Sequence, residues 1–186
     1  MSILLKVYNW IKVHLLKIDP RSQLEIAIDN GLKIGKNCAI MGEVILDPGH
    51  CWLIEIGDNV TIAPRAHILA HDASTKRELG YTKIGLVKIG NNVFIGAGSI
   101  ILPNTHIGNN VVIGAGSVVP KDIPDNSVAI GNPARVIMSY DEYMEKNKKI
   151  MQNVRLFGYE YQIGNISEEQ KREMIKELEY EIGFVV

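Results

Sequence analysis

Between residues 34 and 120 an apolar residue recurs every six positions, and a small residue often follows it. The rows read Ile34-Gly35, Ile40-Met41, Leu46; Ile56-Gly57, Ile62-Ala63, Ile68; Ile89-Gly90, Ile95-Gly96, Ile101; Ile107-Gly108, Ile113-Gly114, Val119. A fixed internal period of this kind is the mark of a repeat architecture. Each hexapeptide fits a short strand followed by a corner. Three of them close one triangular turn of about eighteen residues. The anchor points inward, and the small residue after it permits a tight corner beside the packed interior. Successive turns stack by backbone hydrogen bonding at about 4.8 Å. The inward side chains then form columns, and each turn stabilises only its neighbours.

The phasing has a second consequence. With these rows, both breaks in the rhythm follow the third anchor of a turn. The step from Leu46 to Ile56 is ten residues and that from Ile68 to Ile89 is twenty-one. Both insertions therefore leave the same edge of the prism, one turn apart. The first carries Gly49, His50 and Cys51; the second carries His71, Asp72 and the stretch ASTKRELGYTKIGLVK. Stacked excursions on one edge are where a solenoid builds a site.

The rest of the chain reads as extensions of this body: an N-terminal helical extension over 1–30, a β-helix over 31–138 and a C-terminal helical extension over 139–186. The opening run MSILLKVYNWIKVHLLKI has Leu4, Val7, Ile11 and Leu15 at helical spacing. Lys6, Lys12, His14 and Lys17 interrupt it too often for a bilayer span. It fits a helix packed on its own domain or a neighbouring subunit, with membrane-surface contact through the lysines and Trp10 as the alternative. At the other end, Pro120, Pro124 and Gly131-Asn132-Pro133 stop the coil. Helices are expected from Ser139 to about Asn153, and from a capping box at Ser167 and Gln170 to about Glu181. Such helices can cover the open strand edges of a solenoid.

Composition narrows the function. Hydrophobic residues make up 46% and charged residues 22%, enough for a sizeable core. A net charge of −1 gives no general attraction to nucleic acid. Cys38 and Cys51, the two cysteines, make neither a disulfide framework nor a four-Cys zinc site. Without a readable secretion signal they are expected to be reduced thiols in a cytoplasmic protein.

Val93-Phe94-Ile95-Gly96-Ala97-Gly98-Ser99, Val112-Ile113-Gly114-Ala115-Gly116-Ser117-Val118-Val119, Lys121-Asp122-Ile123-Pro124 and Gly131-Asn132-Pro133-Ala134-Arg135-Val136 resemble the hexapeptide-repeat acyltransferases. The resemblance, over roughly 34–138, is in particular to maltose and galactoside O-acetyltransferases and to acetyltransferases of polysaccharide assembly. It implies an all-β solenoid, a left-handed parallel β-helix, with helical extensions. It implies a homotrimer whose active sites lie between subunits, with acetyl-CoA as co-substrate and no metal requirement.

Acyl transfer needs a base for the acceptor proton, donors for the oxyanion and a groove for CoA. From spacing alone His71 is equally a loop histidine and a base; the resemblance makes it the base. Asp72, beside it, is a candidate to hold the imidazole tautomer. Phe94, Ala97, Ala115, Lys121 and Arg135 match CoA-binding positions of the family, and the Ala97 N–H is a candidate oxyanion donor. Phe94 stands where the family often has Trp, Pro120 replaces a Thr, and Met138 replaces a basic residue. Glu43, Asp47, His50 and Trp52, together with Asp72, are expected to contact the acceptor, since carboxylates bind sugar hydroxyls and an aromatic face packs on a sugar ring. The sugar acetyltransferases have Asn near Glu43 and Asp near Cys51; neither identity is kept. A nucleotide-linked, lipid-linked or polymeric sugar is therefore as natural an acceptor as a simple galactoside. Within the same class stands an antibiotic O-acetyltransferase. Outside it stands a zinc enzyme like the gamma-class carbonic anhydrases, drawing on His50, His67 and His71, and a scaffold that only trimerises. His67 precedes anchor Ile68 and His106 precedes Ile107, which suits structural positions.

Overall fold

The structure, a computed structural model, describes residues 22–186. The expected N-terminal helix, with Leu4, Val7, Ile11 and Leu15, lies outside the described residues. A short helix, Gln23–Asp29, leads into the coil. Ser22 caps it through a reciprocal box with Glu25, satisfying two backbone donors that a helix start leaves open.

Three sheets follow, one for each side of a triangular coil, and successive coils pair in parallel. The first side stacks Lys33–Ile34, Ile54–Ile56, Val87–Ile89 and Thr105–Ile107. The second stacks Ala39–Ile40, Thr61–Ile62, Phe94–Ile95, Val111–Ile113, Ser127–Gly131 and a last strand beginning at Ala134. The third stacks Ile45–Leu46, His67–Ile68, Ile100–Ile101 and Val118–Val119. The register aligns Ile34, Ile56, Ile89 and Ile107 in one column. Ile40, Ile62, Ile95 and Ile113 form the second, and Leu46, Ile68, Ile101 and Val119 the third. These are the rows that the six-residue period predicts. Ile62, Ile68, Ile95, Ile101, Ile113 and Val119 are fully buried, each worth about 1.5–3 kcal/mol relative to exposure. Gly96 lets the coils close up: a Cβ there would lie 2.4 Å from the Ala115 nitrogen.

The corner between the first and second sides is an asparagine ladder. Asn37, Asn59, Asn92, Asn110 and Asn126 all adopt left-handed backbone, with φ between 52° and 57°, a conformation that Asn tolerates better than most residues. Each side-chain amide donates to the next Oδ1, at 3.2, 3.1, 3.0 and 2.8 Å in turn. The recurrence of Asn three residues after Ile34, Ile56, Ile89, Ile107 and Ile123 is a sequence signal of this ladder.

The corner between the third and first sides carries both insertions. The longer one is a small hairpin: His71–Asp72 pairs antiparallel with Lys83–Ile84, and a one-turn helix, Lys76–Leu79, closes it on Gly80 at φ 75°. The Gly85 N–H then donates to the Ala70 carbonyl at 3.0 Å, fixing the base of the loop.

The chain divides into two compact units after Ile137. The second, Met138–Val186, has a helix Tyr140–Met151 opened by a Ser139–Glu142 capping box and a helix Glu168–Glu177 opened by Ser167 and Gln170. The latter ends four residues before the expected Glu181. Leu156–Phe157 pairs in parallel with Phe184–Val185, and buried Phe157 packs edge-on against Tyr161 at 4.9 Å. Among the described residues, no helix is long and apolar enough to cross a membrane.

Candidate functional site

The site begins with Asp47, the residue after anchor Leu46. Its N–H continues the ladder to the Ile68 carbonyl at 2.9 Å, which places its side chain one coil below the second insertion. The side chain is fully buried. Oδ1 accepts the N–H groups of Gly49 and His50, each at 3.1 Å. Oδ2 accepts the Ala70 N–H at 2.7 Å and meets His71 Nδ1 at 2.6 Å. Burial pushes the carboxyl up, but the His71 contact and the N–H groups of Ala70 and Gly49 outweigh it and hold Asp47 below the usual carboxylate range. An ionised carboxylate only accepts. In the neutral ring His71 therefore carries its proton on Nδ1, and Nε2 keeps a free lone pair. The side chain of His71 is 33% exposed, so the lone pair on Nε2 can accept a proton from a group at the surface.

Two further residues of the first insertion join it. The His50 ring lies 4.9 Å from the His71 ring at 43°, and Trp52 lies 5.2 Å from His50 at 45°. Trp52 is 52% exposed. His50 Nδ1 is buried without a hydrogen-bond partner, 3.9 Å from Asp47 Oδ1. The turn Cys51–Leu53 that orients these rings rests on buried Cys51, whose Sγ faces the Ala27 carbonyl.

Three expected acceptor contacts are arranged differently. Asp47 is not on the pocket wall: both its oxygens are occupied, and it orients His71, the role considered for Asp72. Asp72 instead pairs with Lys83 at 2.5 Å and accepts the Ser74 N–H at 2.9 Å, Lys83 above all holding its carboxyl well below the usual range. Glu43 stands at another corner, between the second and third sides, at φ 61°. There it borders an apolar groove of about 470 Å³ with Ile26, Ile45, Leu46 and Cys51.

The expected CoA contacts fall on two edges. Lys121 is exposed at the His71 corner, two coils further on. Phe94 projects outward from the second side in register with Thr61 and Val112. Ala97 and Ala115 stack at the corner between the second and third sides, where the Gly116 N–H bonds the Ala97 carbonyl at 2.9 Å. Arg135 is exposed in the last strand of the second side, with Nη1 on the Ala134 carbonyl at 2.9 Å. One full side, roughly 15 Å at about 3.3 Å per residue, separates the Ala97 corner from the His71 corner.

A coil of stacked hexapeptides has known counterparts. The bacterial transferase hexapeptide (six repeats) family matches residues 86–121. Protein CapG of Staphylococcus aureus is 43% identical over 128 residues, which cover 66% of this chain and 73% of CapG. The chain belongs to the hexapeptide-repeat transferases. Among solved members, a maltose O-acetyltransferase from Clostridium difficile 630 is similar at 46% identity and a TM-score of 0.54, covering 59% of each chain. The hexapeptide-repeat acetyltransferase VCA0836 of Vibrio cholerae, in its acetyl-coenzyme A complex, matches at 30% identity and a TM-score of 0.54, covering 59% of this chain and 61% of that one. This hexapeptide transferase thus spans about three-fifths of both solved chains.

Asp47, His50 and His71 present ligand atoms within 4.8 Å of one another. A zinc ion there would have to displace the N–H groups and the His71 contact that already occupy Asp47. His67 is outside this cluster: it projects from the third side between Ile45 and Ile100. Within one chain, the three histidines of the zinc reading therefore do not converge.

Proposed function

We propose that the protein is an acetyl-CoA-dependent O-acetyltransferase acting on a saccharide acceptor in the cytoplasm, as a homotrimer of left-handed β-helices. The observation that carries the reading is the Asp47–His71 pair, with Nε2 free on the edge where both insertions meet. His71 takes the proton of the attacking hydroxyl, and the hydroxyl oxygen bonds to the thioester carbonyl carbon. The negative charge that forms on the carbonyl oxygen is met by a backbone donor, the Ala97 N–H. The carbon–sulfur bond then breaks, and the sulfur leaves with the proton from His71 as the free thiol of CoA. Asp47 balances the imidazolium charge between these steps.

The split of the CoA-contact residues supports the trimer. His71 and Lys121 share one edge, while Phe94, Ala97, Ala115 and Arg135 belong to the second side and its far corner. On one chain His71 and the candidate oxyanion donor Ala97 stand at different corners, and a neighbouring chain would supply the second of them to a shared thioester. The outward residues agree. The first side carries the ion pairs Lys33–Glu55 and Lys88–Glu55 at 2.6 and 3.9 Å. The second and third sides present Phe94, Val112, Ile45, Ile100 and Val118, a surface that favours contact with another copy.

The test is release of CoA thiol from acetyl-CoA with a panel of saccharides, beside mass measurement by light scattering. Wild-type protein is expected to be trimeric and to transfer acetyl, and His71→Ala to lose about 10²–10⁴ in turnover while still binding acetyl-CoA. Near-normal turnover by His71→Ala removes His71 from the mechanism.

A further inference from the structure

His50 has a feature the acetyl-transfer reading leaves unexplained. Its Nδ1 is buried with no hydrogen-bond partner, a rare condition that calls for a reason. That nitrogen faces the ionised carboxylate of Asp47, 3.9 Å from Oδ1. A lone pair on Nδ1 would point at negative charge, whereas an N–H there is attracted to it. Asp47 thus selects the Nδ1–H tautomer in both rings. With the Nδ1 edge buried and the His50 side chain still 29% exposed, it is the outer edge of the ring, the side of Nε2, that is open. The corner therefore holds two histidines, fixed by one carboxylate, each with an Nε2 lone pair toward the mouth.

Resting on the reading of His71 as base, we infer that His50 is an acceptor-recognition residue: it accepts a hydrogen bond from a hydroxyl adjacent to the one acetylated, so the substrate class is a ring with neighbouring free hydroxyls. Hydrogen bonds of about 2.8 Å allow two oxygens on adjoining carbons to reach rings centred 4.9 Å apart. Trp52, tilted beside His50 and half exposed, supplies an apolar face for the C–H side of such a ring. An acceptor lacking the second hydroxyl leaves the His50 lone pair without its donor. A site built to bond a hydroxyl rejects the analogue without it.

The test uses the full chain, acetyl-CoA, methyl β-D-galactopyranoside and its 2-, 3- and 4-deoxy forms, with NMR of the product to locate the acetyl group. Ring-nitrogen spectra of the same protein report the tautomers. Wild-type protein is expected to show Nδ1–H on both His50 and His71. Removing the hydroxyl next to the acetylated one should lower its kcat/KM about tenfold, mainly through KM. His50→Phe, which keeps the ring stack between His71 and Trp52 but has no nitrogen, should lose less than about twofold for the same removal. His50→Ala should behave likewise. The proposal is overturned by an Nε2–H tautomer on His50, by wild-type indifference to all three deoxy forms, or by a His50→Phe variant that still discriminates. It is overturned too if no form of the galactoside is acetylated by protein that binds acetyl-CoA. Undiminished acetyl transfer by His71→Ala would instead remove the base assignment beneath it.

Discussion

Asp47 Oδ2 and His71 Nδ1 lie 2.6 Å apart across one coil, although 24 positions separate them in the chain. The contact fixes the tautomer of the neutral ring and couples its orientation to the first insertion. It also gives one fully buried carboxylate two roles, as partner of His71 and as acceptor for three backbone N–H groups.

Asp47→Asn should leave the coil intact and nearly abolish transfer. The amide can still accept from Gly49 and His50 but presents N–H to Ala70 and to His71 Nδ1. His71 must then offer Nδ1 as acceptor and carry its proton on Nε2, the wrong tautomer for a base. Turnover is expected to fall by about 10³–10⁴, by analogy with other carboxylate–histidine pairs. Steady-state rates with unchanged acetyl-CoA affinity would bear this out; a loss below tenfold would show that the pair is only structural.

Asp47 also sets an acid limit. Its folded-state value is depressed, so between that value and the ordinary one, about 3.9, the unfolded chain binds more protons and stability rises with pH. The contribution is complete above about pH 4 and disappears as pH falls through the folded value. Denaturant titrations from pH 6 downward should show a steeper acid loss in the wild type than in Asp47→Asn. Parallel curves would assign the acid limb to other carboxylates.

Lys121→Ala and Arg135→Ala are expected each to weaken acetyl-CoA binding by about 1.5–3 kcal/mol, the range for hydrogen bonds to charged groups. The loss should be smaller for the analogue without the 3′-phosphate. Calorimetry separates a phosphate contact from a surface charge: equal affinity of variant and wild type would assign both cations to solvent.

The asparagine ladder predicts an order of stability. Asn92 accepts from Asn59 and donates to Asn110, at 3.1 and 3.0 Å, from φ 56°. Asn92→Gly keeps the left-handed backbone but loses both side-chain bonds, about 1–2 kcal/mol. Asn92→Ala adds about 1 kcal/mol for a Cβ in that conformation. Urea unfolding should rank wild type above glycine and glycine above alanine. An alanine variant as stable as the glycine one would mean that the corner relaxes out of the left-handed region.

The coil was legible because its determinant is periodic. Ile62, Ile95 and Ile113 each sit six residues from the next anchor in their own turn, and stacking turns leaves such a pattern one register. The corner of the site was legible for the same reason, since insertions after Leu46 and Ile68 must leave the same edge. The ladder was available in the recurrence of Asn after each first-side anchor. The role of Asp47 was not: a carboxylate on an insertion reads equally as a sugar contact. Only the fold shows that it turns into the interior, where its oxygens meet Ala70 and His71.

The sequence by itself thus determined the three-sided coil, its register and the edge on which His71 stands, because inward apolar columns admit no other phase. Tertiary structure alone decided which carboxylate orients His71, that Asp72 is held by Lys83 instead, and that the His50 ring faces the same carboxylate as His71. Those choices depend on side-chain direction and burial within irregular loops, where no repeat constrains the chain and a shift of one residue exchanges interior for solvent.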